Sequence, residues 1–218
     1  AALHAAYWGD ARADEAVDSG LQPQGCYWHF DTRQKEMGEM ASDGVDGRHK
    51  LAAAGLDARL KADAMQTVCH GDPKAPNIMY SADEGASFFD FQWIGKAPVS
   101  KDLAYFMACA ASGITEATEE QYLRHYFAKL CALLQAQGDE QPSFESLRDS
   151  YALACADLAR WMAGWGWWGN KALLKRHVDA VLDRLDGGAA LASAEEYRRR
   201  VFQHFPPGAP LKTSAKPR

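Results

Sequence analysis

The chain has 218 residues, a net charge of −5, 47% hydrophobic residues and 24% charged residues, proportions that suit one globular unit with a sizeable core. With an acidic balance and no basic stripe, nucleic acid is not expected as a main partner. No apolar run reaches the 18 residues of a membrane span, and no secretory signal opens the chain. Five widely spaced cysteines (Cys26, Cys69, Cys109, Cys131 and Cys155), without CxxC or Cys/His metal spacing, read as reduced, mostly buried thiols of a cytoplasmic protein. An opening without Met suggests a fragment or a processed product.

Apolar periodicity predicts a helix over residues 1–17, with Leu3, Ala6, Tyr7 and Trp8 on its inner side. Residues 20–45 are Gly-rich and polar, with one short extended candidate at CYWHF, residues 26–30. A helix is expected over 48–64 through Leu51, Leu56 and Leu60, weakened by Gly55. The period then shortens. QTVC (66–69), NIMY (77–80) and SFFDF (87–91) are strand-like runs rich in branched and aromatic residues, and SADEG between the last two reads as a hairpin turn. Everything downstream is helical. Ser100 is placed as the cap of a helix to about Ala111, closed by Gly113. Thr115 or Thr118 caps one to Gln137, before Gly138. Ser143 caps one to about Ala163. Residues 171–186 form another, ended by Gly187-Gly188, and a last one runs from Ser193 to Pro206-Pro207. Residues 1–205 form one unit, and 206–218 read as a disordered tail. Arg198–Arg200 reads as a solvated helix face. Glu116, Glu119 and Glu120 read as an exposed helix start that suits the helix dipole, and His4 and His29 as ordinary partly buried histidines. The expected fold class is α+β: a mostly helical body around a small β-hairpin element.

The chemistry-bearing residues concentrate on that element, in CHGDPKAPNIMY (69–80) and FFDFQW (88–93). Phosphoryl transfer needs a carboxylate to orient a hydroxyl and accept its proton, oxygen ligands for magnesium, and a positive charge near the transferred group. Asp72 sits on a turn after a strand, with Lys74 two residues on and Asn77 five residues on. Asp90 is expected to end the second hairpin strand. A hairpin brings its outer ends together, so Asn77 and Asp90 should lie near each other and face Asp72.

The string His70-Gly71-Asp72-Pro73-Lys74-Ala75-Pro76-Asn77 resembles the catalytic loop of the protein-kinase-like superfamily. The branch is that of aminoglycoside phosphotransferases, choline kinases and ecdysteroid kinase-like proteins, which carries HGDxxxxN where protein kinases carry HRDxxxxN. Asp90-Phe91-Gln92 resembles that branch's counterpart of Asp-Phe-Gly. Pro98-Val99-Ser100-Lys101-Asp102-Leu103-Ala104-Tyr105-Phe106 resembles the segment that follows, and Leu3-His4-Ala5-Ala6-Tyr7-Trp8 resembles the first helix of the C-terminal lobe. The resemblance spans about residues 1–165 and is most specific over 69–106.

It implies a kinase-like C-terminal lobe whose hairpin element carries the catalytic loop, with ATP and Mg²⁺ as cofactors and a small-molecule hydroxyl as acceptor. It implies Asp72 as the catalytic base, and Asn77 and Asp90 as magnesium ligands and nucleotide contacts. Lys74 would be the catalytic cation near the transferred phosphate, also touching the nucleotide. His70 would brace the loop, and Asp102 would accept its backbone N–H groups. No G-x-G-x-x-G precedes residue 69, so the ATP-clamping N-terminal lobe is expected to be absent from this sequence. Either the natural protein is longer, or the chain is a catalytically weak or inactive kinase-like binding or scaffold protein. A metal-dependent phosphohydrolase is disfavoured, because the compact His and Asp ligands of a two-metal site are missing. Trp161, Trp165 and Trp168, with Trp167 and Tyr151, read either as an aromatic acceptor site able to cage a cation or stack on a ring, or as helix core.

Overall fold

The computed structural model describes residues 1–82 and 85–214. Part of the expected SADEG turn, residues 83 and 84, lies outside the described residues, as does 215–218 of the expected tail.

The single helix expected over 1–17 is two, α1 (Ala2–Ala6) and α2 (Asp10–Asp18). Gly9 divides them at φ 89°, a conformation that glycine adopts without steric cost, and the break lets Trp8 bury completely. CYWHF is not a strand: it is irregular, and it buries Cys26 and Trp28 in the core. Helix α3 (Gln34–Glu39) follows inside the polar segment, too short and too polar to announce itself by periodicity. Helix α4 (Gly44–Lys61) starts four residues earlier than expected. Its Gly55, which reads as a weakness, marks a close crossing: a Cβ there would lie 2.8 Å from the Arg198 Cα of the last helix.

Strand β1 (Gln66–Cys69) leads to a 3-10 turn at Ala75–Asn77, then β2 (Ile78–Ser81), β3 (Gly85–Phe88) and β4 (Gly95–Pro98). Two antiparallel pairs result. β2 and β3 form the expected hairpin, in register from Ile78↔Phe88 to Ser81↔Gly85, while β1 pairs with β4 from Gln66↔Pro98 to Cys69↔Gly95. β4 has the sequence GKAP, and its Gly and Pro hide it from any propensity reading. Because β1 and β4 enclose the hairpin, 70–77 and 89–94 become the two loops at one end of one sheet pair.

Helix α5 (Val99–Cys109) has Pro98, not Ser100, at its N-cap. Ser100 is inside the helix and buried, where its hydroxyl accepts from Ser150 Oγ at 2.8 Å. Helices α6 (Glu116–Gln137), α7 (Phe144–Trp165), α8 (Lys171–Asp186) and α9 (Ala194–His204) follow. Thr115 and Thr118 both cap α6, each accepting the other's backbone N–H, and Gly138 closes it at φ 74°. Ser143 and Ser193 cap α7 and α9 through the N–H groups of Ser146 and Glu196. Among the described residues α7 is the central helix. It buries Leu147, Leu153, Leu158 and Met162 against α4, α5 and α8, and each such side chain contributes about 1.5–3 kcal/mol.

Two expectations fail here for one reason, which is that long-range partners are invisible in local pattern. Glu119 is not an exposed helix start. It is buried, and it accepts from Tyr151 Oη at 2.6 Å and His177 Nε2 at 2.8 Å while pairing with Arg176. Burial would raise its carboxyl, but His177 and Tyr151 hold it below the usual range. The tail, expected to be disordered from 206, is tied down over its described part. Glu140 N donates to Lys212 O at 2.8 Å, and Ser214 N donates to Asp139 Oδ1 at 2.6 Å. Arg12 Nη2 donates to Ser214 O at 2.8 Å while Nη1 holds Asp139 at 2.6 Å.

His49 on α4 is buried and donates from Nε2 to the Ala156 carbonyl at 2.8 Å, and burial pushes its pKa down to about 4. The unfolded chain takes up this proton near pH 6.5 and the folded chain refuses it until about pH 4. Stability should therefore be whole above about pH 6.5 and fall by about 3 kcal/mol between there and pH 4. Urea unfolding of His49→Gln is expected to lose that part of the pH slope. An unchanged slope would place the acid sensitivity elsewhere.

Candidate active site

β1 carries four buried residues into the loop. The chain then bends at Gly71, φ 89°, where a Cβ would run into the Trp93 carbonyl. Only glycine meets both conditions, so the loop and the segment after β3 pack backbone to backbone. Below the bend lies Asp102, in the first turn of α5. Its Oδ2 accepts His70 N–H at 2.7 Å and its Oδ1 accepts Gly71 N–H at 2.9 Å. His4 Nε2 donates to Oδ2 at 3.1 Å, and His4 Nδ1 meets the Tyr126 hydroxyl at 2.6 Å. Burial alone would raise the Asp102 carboxyl, but the bonds from His4, Gly71 and His70 hold it below the usual carboxylate range. His4, on α1, is thus a fixed part of the loop's support rather than an isolated histidine.

His70 fastens the loop to the hairpin. Its Nδ1 accepts Asp72 N–H at 3.2 Å, which leaves Nε2 to donate to the Phe89 carbonyl at 3.0 Å. Its ring lies 5.4 Å from Phe88 and 4.7 Å from Phe91, centroid to centroid.

Asp72 is 5% exposed. Lys74 Nζ donates to its Oδ2 at 2.7 Å, and Asn77 Nδ2 donates to the same oxygen and to the Asp72 carbonyl, both at 3.0 Å. The 3-10 turn sets this spacing through Lys74 N–H to Asp72 O at 2.8 Å and Asn77 N–H to Lys74 O at 2.9 Å. Since the Asn77 NH₂ faces Asp72, its amide oxygen is the atom left for a cation.

Asp90 does not end a strand. β3 stops at Phe88, because His70 takes the Phe89 carbonyl and the chain turns away. Asp90 follows in the left-handed region at φ 61°, which Asp tolerates better than most residues. It reaches the site by backbone, since Phe89 N–H donates to the Asn77 carbonyl at 3.2 Å. The structure therefore joins Asp72, Lys74 and Asn77 by direct hydrogen bonds and brings the backbone next to Asp90 against Asn77, while the Asp90 carboxylate itself is exposed and accepts from Gln92 Nε2 at 3.4 Å. Hard oxygens of Asp72, Asn77 and Asp90 are the donor chemistry that Mg²⁺ prefers. A second group, His4, Cys69 and Asp102, has its donor atoms within 4.8 Å. There Asp102 is already engaged by three donors, and burial keeps the Cys69 thiol protonated.

Of the aromatic residues, Trp161 and Trp168 meet edge to face at 5.2 Å, while Trp165 is 54% exposed under the Arg33 guanidinium, 3.6 Å from its ring centre. Trp167 lies apart under Lys171 and Lys175. Tyr151 is not in this group; it is buried against His177. Sequence reasoning missed Tyr27, which faces Trp93 at 4.5 Å and Trp161 at 6.0 Å, and Tyr105. Burial first, then Cys109 and the Asp72 carboxylate, push the Tyr105 phenol well up, with Trp168 pulling the other way. Burial also pushes the Cys109 thiol up to about 12 beside Trp168. Both groups stay protonated. Tyr27 and Arg33 lie in irregular chain without periodicity, so local pattern carried no signal for them.

Among the described residues, no helix is long and apolar enough to cross a membrane. No curated protein and no solved structure gives a match. The model of the ecdysteroid kinase-like family matches residues 24–138, more than half of the chain and the whole of the loop and hairpin just described. The chain belongs to the ecdysteroid kinase-like family, whose members are kinase-like phosphotransferases.

Proposed function

We propose that the protein is an ATP- and Mg²⁺-dependent phosphotransferase that moves the γ-phosphoryl group to a hydroxyl of a small molecule. The observation that carries this reading is the buried Asp72 carboxylate, held by Lys74 and Asn77 on a loop tied to Asp102 at one end and to the hairpin at the other. The Asn77 amide oxygen and the Asp90 carboxylate would hold the magnesium, which neutralises phosphate charge when bound. Asp72 orients the acceptor hydroxyl and takes its proton, a role worth about 10²–10⁴ in rate. Lys74, partly exposed beside it, offsets negative charge on the transferred group. The exposed apolar residues of the hairpin, Tyr80 and Phe88 on one face and Met79 on the other, fit an adenine ring or a clamping lobe, with residues 1–205 as the C-terminal lobe. The free thiols fit a cytoplasmic setting, and the partner is the acceptor rather than nucleic acid or membrane.

The second reading is a kinase-like binding protein without catalysis. Transfer from γ-labelled ATP to a panel of hydroxyl compounds separates the two. The expected result is labelled product, reduced about 10²-fold in Asn77→Ala, by analogy with the loss of one transition-state contact. Transfer that is equal in parent and variant would contradict the assignment of Asn77. No transfer to any acceptor, with nucleotide bound, would favour the binding protein.

A further inference from the structure

We propose that Arg33 is a specificity-determining residue: its guanidinium fills an aromatic box near the catalytic loop and so keeps cationic acceptors out of it. This rests on the phosphotransferase reading and names a class of acceptor that the same site excludes.

Three rings surround the charge. The guanidinium carbon lies 3.6 Å from the Trp165 centroid, 5.5 Å from Tyr27 and 5.7 Å from Trp161, within the range of cation–π attraction. The fold builds this placement. Arg33 precedes α3 in the left-handed region, φ 57°, and its Nη1 donates to Glu36 Oε1 at 3.0 Å. α3 can lie this close to α7 because Gly164 faces it, where a Cβ would run into the Glu36 carbonyl.

The box adjoins the catalytic loop through Tyr27. Tyr27 meets Trp93, whose carbonyl packs on Gly71. A molecule seated against the box would thus lie near the loop that carries Asp72.

The box also holds unmet hydrogen-bond donors. Trp161 Nε1 and Arg33 Nε are buried and have no partner. Buried N–H groups without acceptors are rare and costly. A second cation in the box would leave both donors unmet, and the guanidinium repels any positively charged acceptor.

The test uses choline and its uncharged isostere 3,3-dimethylbutan-1-ol, titrated calorimetrically without nucleotide. Arg33→Ala and Arg33→Gln are expected to bind choline at least tenfold more tightly than the parent. Arg33→Lys, which keeps the charge, should behave as the parent, a result that a merely structural role for Arg33 would not give. Trp165→Ala added to Arg33→Ala should remove the gain, and the isostere should change less than threefold throughout. The proposal is overturned if the parent binds choline as tightly as Arg33→Ala, if neither uncharged variant gains, or if choline and the isostere gain alike. Mg-ATP binding is measured on the same proteins. A choline gain in a protein that takes no Mg-ATP would keep the box and remove the reaction, so the two failures are distinguishable.

Discussion

Asp72→Asn is expected to lower phosphotransfer by about 10²–10⁴-fold with nucleotide affinity changed only a few-fold. The substitution keeps the shape of the side chain. The new amide oxygen can still accept from Lys74 and from Asn77, in the places where they now meet the Asp72 carboxylate at 2.7 and 3.0 Å. The backbone bonds that set the turn, from Lys74 and Asn77 N–H, do not involve the side chain. What is lost is the negative charge that the proposed reaction uses to accept the hydroxyl proton. Steady-state kinetics with a confirmed acceptor, together with an unfolding midpoint like the parent's, checks this. Activity within tenfold of the parent would remove Asp72 from the chemistry.

Asp102→Ala should be the most destabilising single change at the site, by about 3–5 kcal/mol. It strands the N–H groups of His70 and Gly71 and the ring of His4, all donors to one buried carboxylate. Because His70 and Gly71 immediately precede Asp72, activity should fall with stability. The carboxyl is held below its ordinary 3.8 in the fold. Its contribution is therefore present above about pH 4 and lost as the pH drops through the folded value. Urea unfolding at pH 7 and in the acid limb measures both effects. A loss below about 1 kcal/mol at pH 7 would mean that water or another group replaces the carboxylate.

Local chemistry explains what the sequence made legible. Helices α6, α8 and α9 carry side-chain caps and αL or proline stops within a few residues of their ends, so their boundaries follow from short-range rules. The hairpin of β2 and β3 follows from aromatic and branched residues. The clustering of Asp72, Lys74 and Asn77 follows from a spacing that a single turn can close. The rest depends on partners far along the chain. β4 exists because β1 needs its edge paired, although GKAP has no strand character. Trp8 buries only because Gly9 breaks the first helix. Glu119 turns inward because Tyr151, Arg176 and His177 arrive from two later helices. Residues 206–214 are ordered by Arg12, Asp139 and Glu140. Arg33 lies in a loop without period, and its aromatic neighbours come from residues 27, 161 and 165.

Calorimetric titration of Mg-ATP into the parent protein and into Asp90→Ala reads the site most directly. If Asn77 and Asp90 hold the magnesium beside Asp72, the parent binds one nucleotide and Asp90→Ala binds at least tenfold more weakly. Equal binding by both, or binding by neither, would contradict a magnesium-nucleotide site formed by these residues.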